Sequence, residues 1–349
     1  MPSRHNRVLW LLNHETLKDF EVPLLRKLGY EVYLPKIFPK TEEYSSCSID
    51  VSCDAFLTIP KEDLEILNKH DFYTEKMGGK IKEIVNSYFS VAFFGMFANI
   101  AAQMVEGFSG QLFLRGYGLA GDCSYSRIAL QYLSSGFTDR LHAICERFCF
   151  AMGYSFLLEQ EEGIFHRKAA YLPIGIPPSF FSCEDSWKGE EEKLLFVCPR
   201  ITTQDYYRVI YENFKKRFSH IPHLIGGRQL FSIEDPAILG ALPREQYYKF
   251  FQTSRVMFYH SEERRHVHYH PLEAIVFGLP LIYMHKGLLG RLAGEKLPGA
   301  CDTFEEAEEK IQRVIRGDIS FTHEVKTSQK KIIDTMRPDH CYEVWRKYV

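Results

Sequence analysis

One stretch of the chain concentrates groups that can do chemistry. Between His260 and His270 the sequence reads HSEERRHVHYH, with four histidines, two arginines and two acids in eleven residues. It lies between an apolar run ending at Tyr259 and a helix expected to open at His270-Pro271, where Pro suits the first turn. A helix start offers unpaired backbone N–H groups and the positive end of a dipole, which favour an anion such as phosphate. Arg264 with His268 and His270 adds charge-assisted donors, and Ser261 a hydroxyl. Glu273 falls in the first turn of that helix, where its carboxylate can accept from sugar hydroxyls, as an acid after a Rossmann strand holds a ribose. His266, His268 and His270 alternate and on a strand would share a face suited to a metal. The arginines among them repel cations, and Asp-x-Asp occurs nowhere in the chain, so no metal is expected. The plain alternative is a solvated loop whose histidines hydrogen-bond the backbone.

These groups need a scaffold, and the chain supplies a regular one. Short apolar runs alternate with amphipathic helical segments from Val8 onward, the rhythm of βαβ units and parallel sheets. Within it, 139–152 reads as a helix and 154–158 as a strand. From about Ala170 to Lys193 the pattern breaks into prolines and a polar run. The fold class expected is α/β, two tandem Rossmann-like, doubly wound domains facing a cleft. Residues 1–178 form an N-terminal acceptor-side domain, 179–193 a linker, and 194–349 a nucleotide-sugar domain whose last helix packs back on the first.

In such sheets ligands bind beyond the carboxyl ends of the strands. In the second half this selects Arg200, the pair Gly226-Gly227 and the histidine loop. In the first half it selects His14 and Glu159 as catalytic candidates, with Glu15, Arg115 and Asp122 on the acceptor side. Each of these is equally readable as surface charge or a helix cap, and the glycines as turns needing positive φ.

Composition excludes several classes. The 43 Lys+Arg nearly balance 45 Asp+Glu, so no nucleic-acid partner held by bulk charge is expected. Nine cysteines without a CxxC pair suit a reducing compartment. Cys145 and Cys149, four apart on the expected helix, read as one buried stripe. The most apolar stretch, Tyr88 to Ala102, is too short and too broken to span a bilayer. A cytoplasmic protein is expected, with peripheral membrane contact left open.

The run HPLEAIVFGLPLI from His270 to Ile282 resembles the E-A-x-x-x-G-x-P-V-I signature of GT-B glycosyltransferases, especially the glycogen-synthase-like, family-four type. LLFVCPRI is similar to the strand and Arg-bearing loop opening their nucleotide-sugar domain. HLIGG resembles the next strand and its Gly-Gly turn, and LPREQYYKFFQTSRVMFYHS the segment leading to the donor site. The resemblance spans about Leu194 to Gly317 and implies that Glu273 holds the donor ribose, Gly278 and Pro280 shape the turn behind it, and Arg200 faces the donor phosphates. Two positions depart from it. Arg265 stands where a second acid is common, and Thr202-Thr203-Gln204-Asp205 stands where a Lys commonly follows the first Arg by several residues. His270-Pro271 also resembles the His-Pro motif of CMP-sialic acid transferases, and Kdo transferases likewise use CMP-sugars.

The function so implied is metal-independent sugar transfer in surface polysaccharide or glycoconjugate synthesis. A nucleotide-sugar donor, as co-substrate rather than cofactor, would meet a glycan or lipid-linked acceptor. The alternatives are a CMP-Kdo- or CMP-sialic-acid-dependent transferase of the same fold, a non-catalytic GT-B-like binding subunit and a UDP-sugar epimerase.

Overall fold

A computed structural model describes residues 6–41, 44, 47–133 and 136–349. The chain forms two compact units, residues 1–177 with 335–349, and residues 178–334.

In the first unit the order is β1 (Arg7–Leu11), α1 (Glu15–Lys27), β2 (Glu31–Tyr33), α2 (Lys61–Asn68), α3 (Gly79–Tyr88), β3 (Val91–Phe94), α4 (Ala98–Gly107), β4 (Gln111–Gly116), α5 (Tyr125–Tyr132), α6 (Phe137–Ala143), β5 (Phe148–Met152), α7 (Gly163–Arg167) and β6 (Ala169–Tyr171). All pairs are parallel and the strand order is β2-β1-β3-β4-β5-β6. Helices cover both faces, so β1 (RVLWL) and β3 (VAFF) are buried along their whole lengths, as unbroken apolar runs require.

The second unit repeats the plan with β7 (Glu191–Val197), α8 (Asp205–Phe218), β8 (His223–Gly226), β9 (Ile238–Gly240), α9 (Arg244–Thr253), β10 (Ser254–Tyr259), α10 (Tyr269–Phe277), β11 (Leu281–Met284), α11 (Leu288–Ala293), β12 (Ala300–Cys301), α12 (Phe304–Ile315) and α13 (Ile319–Ser328). Its sheet is also parallel, in the order β12-β11-β10-β7-β8-β9. Phe196, Phe214, Phe218 and Phe258 centre the core that α8 and α12 close over one face. The doubly wound α/β expectation holds in both units.

Each sheet has one place where successive connections turn opposite ways. In the first it lies between β1 and β3, and in the second between β7 and β10. There the loops leaving neighbouring strands part and open a crevice for ligands.

Three local readings differ. Residues 139–152 do not form one helix; α6 ends at Ala143, Cys145–Arg147 is a 3₁₀ turn, and Phe148–Met152 is β5. Cys145 and Cys149 therefore share no helical stripe. The expected strand 154–158 is instead a 3₁₀ helix, Ser155–Gln160. The span 179–193 is folded onto the second unit. Pro178–Cys183 is 3₁₀, and the amides of Asp185 and Trp187 donate to the carbonyls of Val276 and Phe277, each at 2.9 Å.

The chain ends in α14 (Pro338–Trp345), which belongs to the first unit. Trp345 is fully buried, stacked on Phe93 of β3 at 5.6 Å, and donates from Nε1 to the Pro173 carbonyl at 3.0 Å.

Candidate functional site

In the second unit the selected residues gather at the carboxyl ends of β7, β8 and β10. Arg200 follows β7 with φ 56, a left-handed conformation rare for a side-chain-bearing residue. Its carbonyl accepts from the amides of Thr203 and Gln204, which closes the turn into α8. Gly227 has φ 112, and a Cβ there would meet the Pro199 nitrogen at 2.7 Å, so the loops after β7 and β8 touch only because the position is glycine. Gln229 ties these loops further. It accepts from the Ile201 amide at 2.9 Å and donates to the carbonyls of Cys198 at 2.8 Å and Gly227 at 3.1 Å.

The histidine loop leaves β10 on the other side of the crevice. Ser261 is buried, and its hydroxyl accepts from the Glu263 amide at 3.3 Å, so it shapes the turn. Arg264 is exposed and Arg265 buried. The rings of His266, His268 and His270 follow one another at 4.7 and 5.3 Å. Tyrosine hydroxyls hold His268 at both nitrogens, Tyr259 at Nδ1 (3.1 Å) and Tyr207 of α8 at Nε2 (3.3 Å). Burial holds the pKa of His266 below the usual imidazole value and that of His270 well below it, with the neighbouring histidines adding to the effect on His270. These two rings are therefore neutral hydrogen-bonding groups at neutral pH. Among the described residues no group of three or more His, Cys, Asp or Glu is arranged to hold a metal ion.

The helix after the loop starts at Tyr269, so His270 and Pro271 are its second and third residues. Neither N-cap, Gln204 of α8 nor His268 of α10, caps its helix with its side chain. Gly278 ends α10 with φ 75, and the amides of Gly278 and Leu279 donate back to Ile275 and Ala274. Glu273 sits in this short helix among the buried apolar residues Leu272, Ala274, Ile275 and Val276, with no hydrogen-bond partner among the described residues. Burial raises its pKa to about 7, against a weak opposing pull from Arg244. A carboxyl in that state is poised to accept from incoming hydroxyls.

The first-unit candidates lie on separate elements. His14 is the N-cap residue of α1, just after β1 and beside the crevice, without a side-chain capping hydrogen bond, and Glu15 is exposed in the first turn of that helix. His14 lines a recess with Trp10, Asn13, Phe38 and Cys47. Burial lowers its pKa and nearby Asp19 partly opposes this, so the ring is neutral. Asp122 is exposed on the loop before α5 and accepts from Gln160 Nε2 at 3.4 Å. Glu159 is exposed in the 3₁₀ helix and follows no strand, which removes the reason for selecting it.

Arg115 is overturned as an acceptor contact. Its side chain is sealed in the core, donating to Glu21 Oε1 at 2.7 Å and to the carbonyls of Ala151 and Leu172 at 3.0 and 2.9 Å. A guanidinium so committed has a structural role.

Sequence reasoning passed over Glu21, Tyr207, Gln229 and Glu161. The last is buried and accepts from the Tyr125 and Ser126 amides at 2.8 Å, anchoring the start of α5. Glu21 had a signal. It sits on the Leu17, Phe20, Leu24, Leu25 stripe of α1, where a charge needs a buried partner.

No sequence-family model matches the chain, and no curated protein matches its sequence. Solved structures do match. A glycosyltransferase from Rickettsia africae superimposes with a TM-score of 0.62 at 10% identity, over 97% of this chain and 96% of that one. A sucrose-phosphate synthase from Thermosynechococcus elongatus gives 0.58 at 11% identity, over 98% and 99%. An Anabaena protein solved with UDP and glucose gives 0.58 at 9%, over 98% and 99%. Likeness at such identity is likeness of fold, and the fold is two Rossmann-like domains of the GT-B type.

Proposed function

We propose that this chain of GT-B fold is a glycosyltransferase that moves a sugar from a nucleotide-activated donor to a hydroxyl acceptor. One observation carries the reading: Glu273, a buried carboxyl without a hydrogen-bond partner among the described residues, lies in the helix that follows β10, one turn after His270, while Arg200 leaves β7, the other strand bordering the crevice. A nucleoside diphosphate brings what such a site lacks. Its ribose hydroxyls donate to Glu273, and its phosphates accept from Arg200, Arg264, His270 and the first-turn amides of α8 and α10.

Transfer then needs stabilisation of the leaving phosphate and a base for the acceptor. Protein donors meet the phosphate charge, so transfer continues in the presence of a chelator. Neutral His14 takes the acceptor's proton, and Glu15 and Asp122 lie on the acceptor side. A glycan or lipid-linked acceptor suits this unit. Among the described residues no helix is long and apolar enough to cross a membrane.

UDP is the first nucleotide to try, because the Anabaena neighbour was solved with it. Thermal shift with UDP, GDP and CMP, followed by nucleotide release from the matching sugars, tests the reading. A nucleotide raises the melting temperature of the wild type, by linkage, and much less that of Glu273→Gln. Failure of every nucleotide to shift it and of every sugar donor to release nucleotide overturns the proposal.

A further inference from the structure

His260 is the first residue after β10. Val256 and Phe258 face the core closed by α8 and α12, and His260, two residues on, continues that face. Its ring lies 5.5 Å from Phe196 of β7, so it occupies the seam between β7 and β10 where the strand order reverses. Both of its ring nitrogens are shielded from solvent and neither has a hydrogen-bond partner among the described residues.

That is a costly arrangement. A neutral imidazole carries one N–H and one lone pair whatever its tautomer. Each buried and unpaired polar group loses its hydration with nothing in exchange. His268, eight residues on, is paired at both nitrogens by tyrosines, so the loop can satisfy an imidazole where structure alone requires it. A Phe would fill the place of His260 without the cost.

The chemistry of the missing partner follows from charge. Burial alone lowers the pKa of His260 to about 4, so at neutral pH the ring is an uncharged donor and acceptor. A phosphate oxygen accepts only and prefers a cation. The hydroxyls of a sugar each give and take hydrogen bonds, so they can serve the nitrogen that donates and the one that accepts.

We propose that His260 contacts the transferred sugar, its imidazole pairing with a hydroxyl of the glycosyl group of the donor. This rests on the glycosyl-transfer reading above, in which Glu273 takes the ribose and the arginines and amides take the phosphates. His260 then reads the sugar rather than the nucleotide, and it is a specificity contact.

Calorimetry on the full chain tests this with UDP against UDP-glucose and UDP-N-acetylglucosamine, GDP against GDP-mannose, and CMP against CMP-sialic acid. In the wild type one nucleotide sugar binds more tightly than its bare nucleotide. His260→Phe keeps the nucleotide affinity within about twofold and loses about tenfold of the sugar's increment, as for one lost hydrogen bond. His260→Gln, which keeps a donor and an acceptor, recovers part of it. The melting temperature of His260→Phe, at or above the wild type, shows that the fold is intact. An unchanged sugar increment in His260→Phe overturns the proposal while the transferase reading stands. Equal loss of bare nucleotide also overturns it, since His260 then supports the nucleotide pocket. A wild type that binds no member of the panel overturns both.

Discussion

The guanidinium of Arg115 donates from Nη2 to Glu21 Oε1 at 2.7 Å, and neither side chain has any exposed surface. Trp10 Nε1 and the Tyr117 hydroxyl donate to the same carboxylate, at 2.9 and 3.0 Å, and the Arg115 guanidinium lies 4.9 Å from the Trp345 ring centroid. Removing one partner strands the other as a buried charge. Arg115→Met is expected to lower the unfolding free energy by about 3–5 kcal/mol. Adding Glu21→Leu restores only part, because Trp10 and Tyr117 stay unpaired. Urea denaturation of the three variants measures this, and full recovery in the double variant contradicts it.

Glu273 makes stability depend on pH with a definite sign. Its pKa in the folded chain is about 7, above the usual 4.5, so between these values the folded state binds more protons than the unfolded one. Stability from this group is complete below the unfolded value and is lost as pH rises through 7. Ionisation of the buried carboxyl costs on the order of 3 kcal/mol. Glu273→Gln is therefore expected to melt above the wild type at pH 8, with the gap closing toward pH 4.5. A gap that stays constant with pH shows that the carboxyl ionises freely.

The left-handed φ of Arg200 separates binding from folding. Glycine adopts that conformation without the penalty of about 1 kcal/mol that a side chain incurs. Arg200→Gly is expected to be as stable as the wild type or slightly more so, and to bind the nucleotide at least tenfold more weakly through loss of a charge-assisted donor. Paired melting and titration experiments check both halves. Full affinity removes Arg200 from the phosphate site.

His14 carries the acceptor-side chemistry in this proposal. His14→Ala is expected to lower kcat by about 10²–10⁴-fold while the donor dissociation constant changes little. Because burial lowers the pKa of His14, the acid limb of the rate profile falls below pH 6.5. An acid limb above that value, or an unaltered kcat in the variant, assigns the proton to another group.

The alternation of elements and the clustering of Arg200, Gly226-Gly227 and the histidine loop were legible, because parallel strands advertise themselves as unbroken apolar runs and ligand groups follow them. The failures have physical causes. In 139–152, Leu141, Ile144, Phe148 and Met152 recur three or four apart, which imitates a helix although Phe148–Met152 is a strand. That slip moved the neighbouring strand past its true end and drew Glu159 into the candidate set. Arg115 was misjudged because its partner lies 94 residues away in α1. The strands β9 and β12, three and two residues long, are too short to carry a period at all.

The return of residues 335–349 to the first unit orders events on the ribosome. The second unit is contiguous, and its core can close as soon as it has emerged. The first waits, its Arg115 and Phe93 lacking the indole of Trp345 until translation has delivered α14. The half made first is thus completed last, and a nascent chain halted before α14 leaves that half exposed to chaperones and proteases.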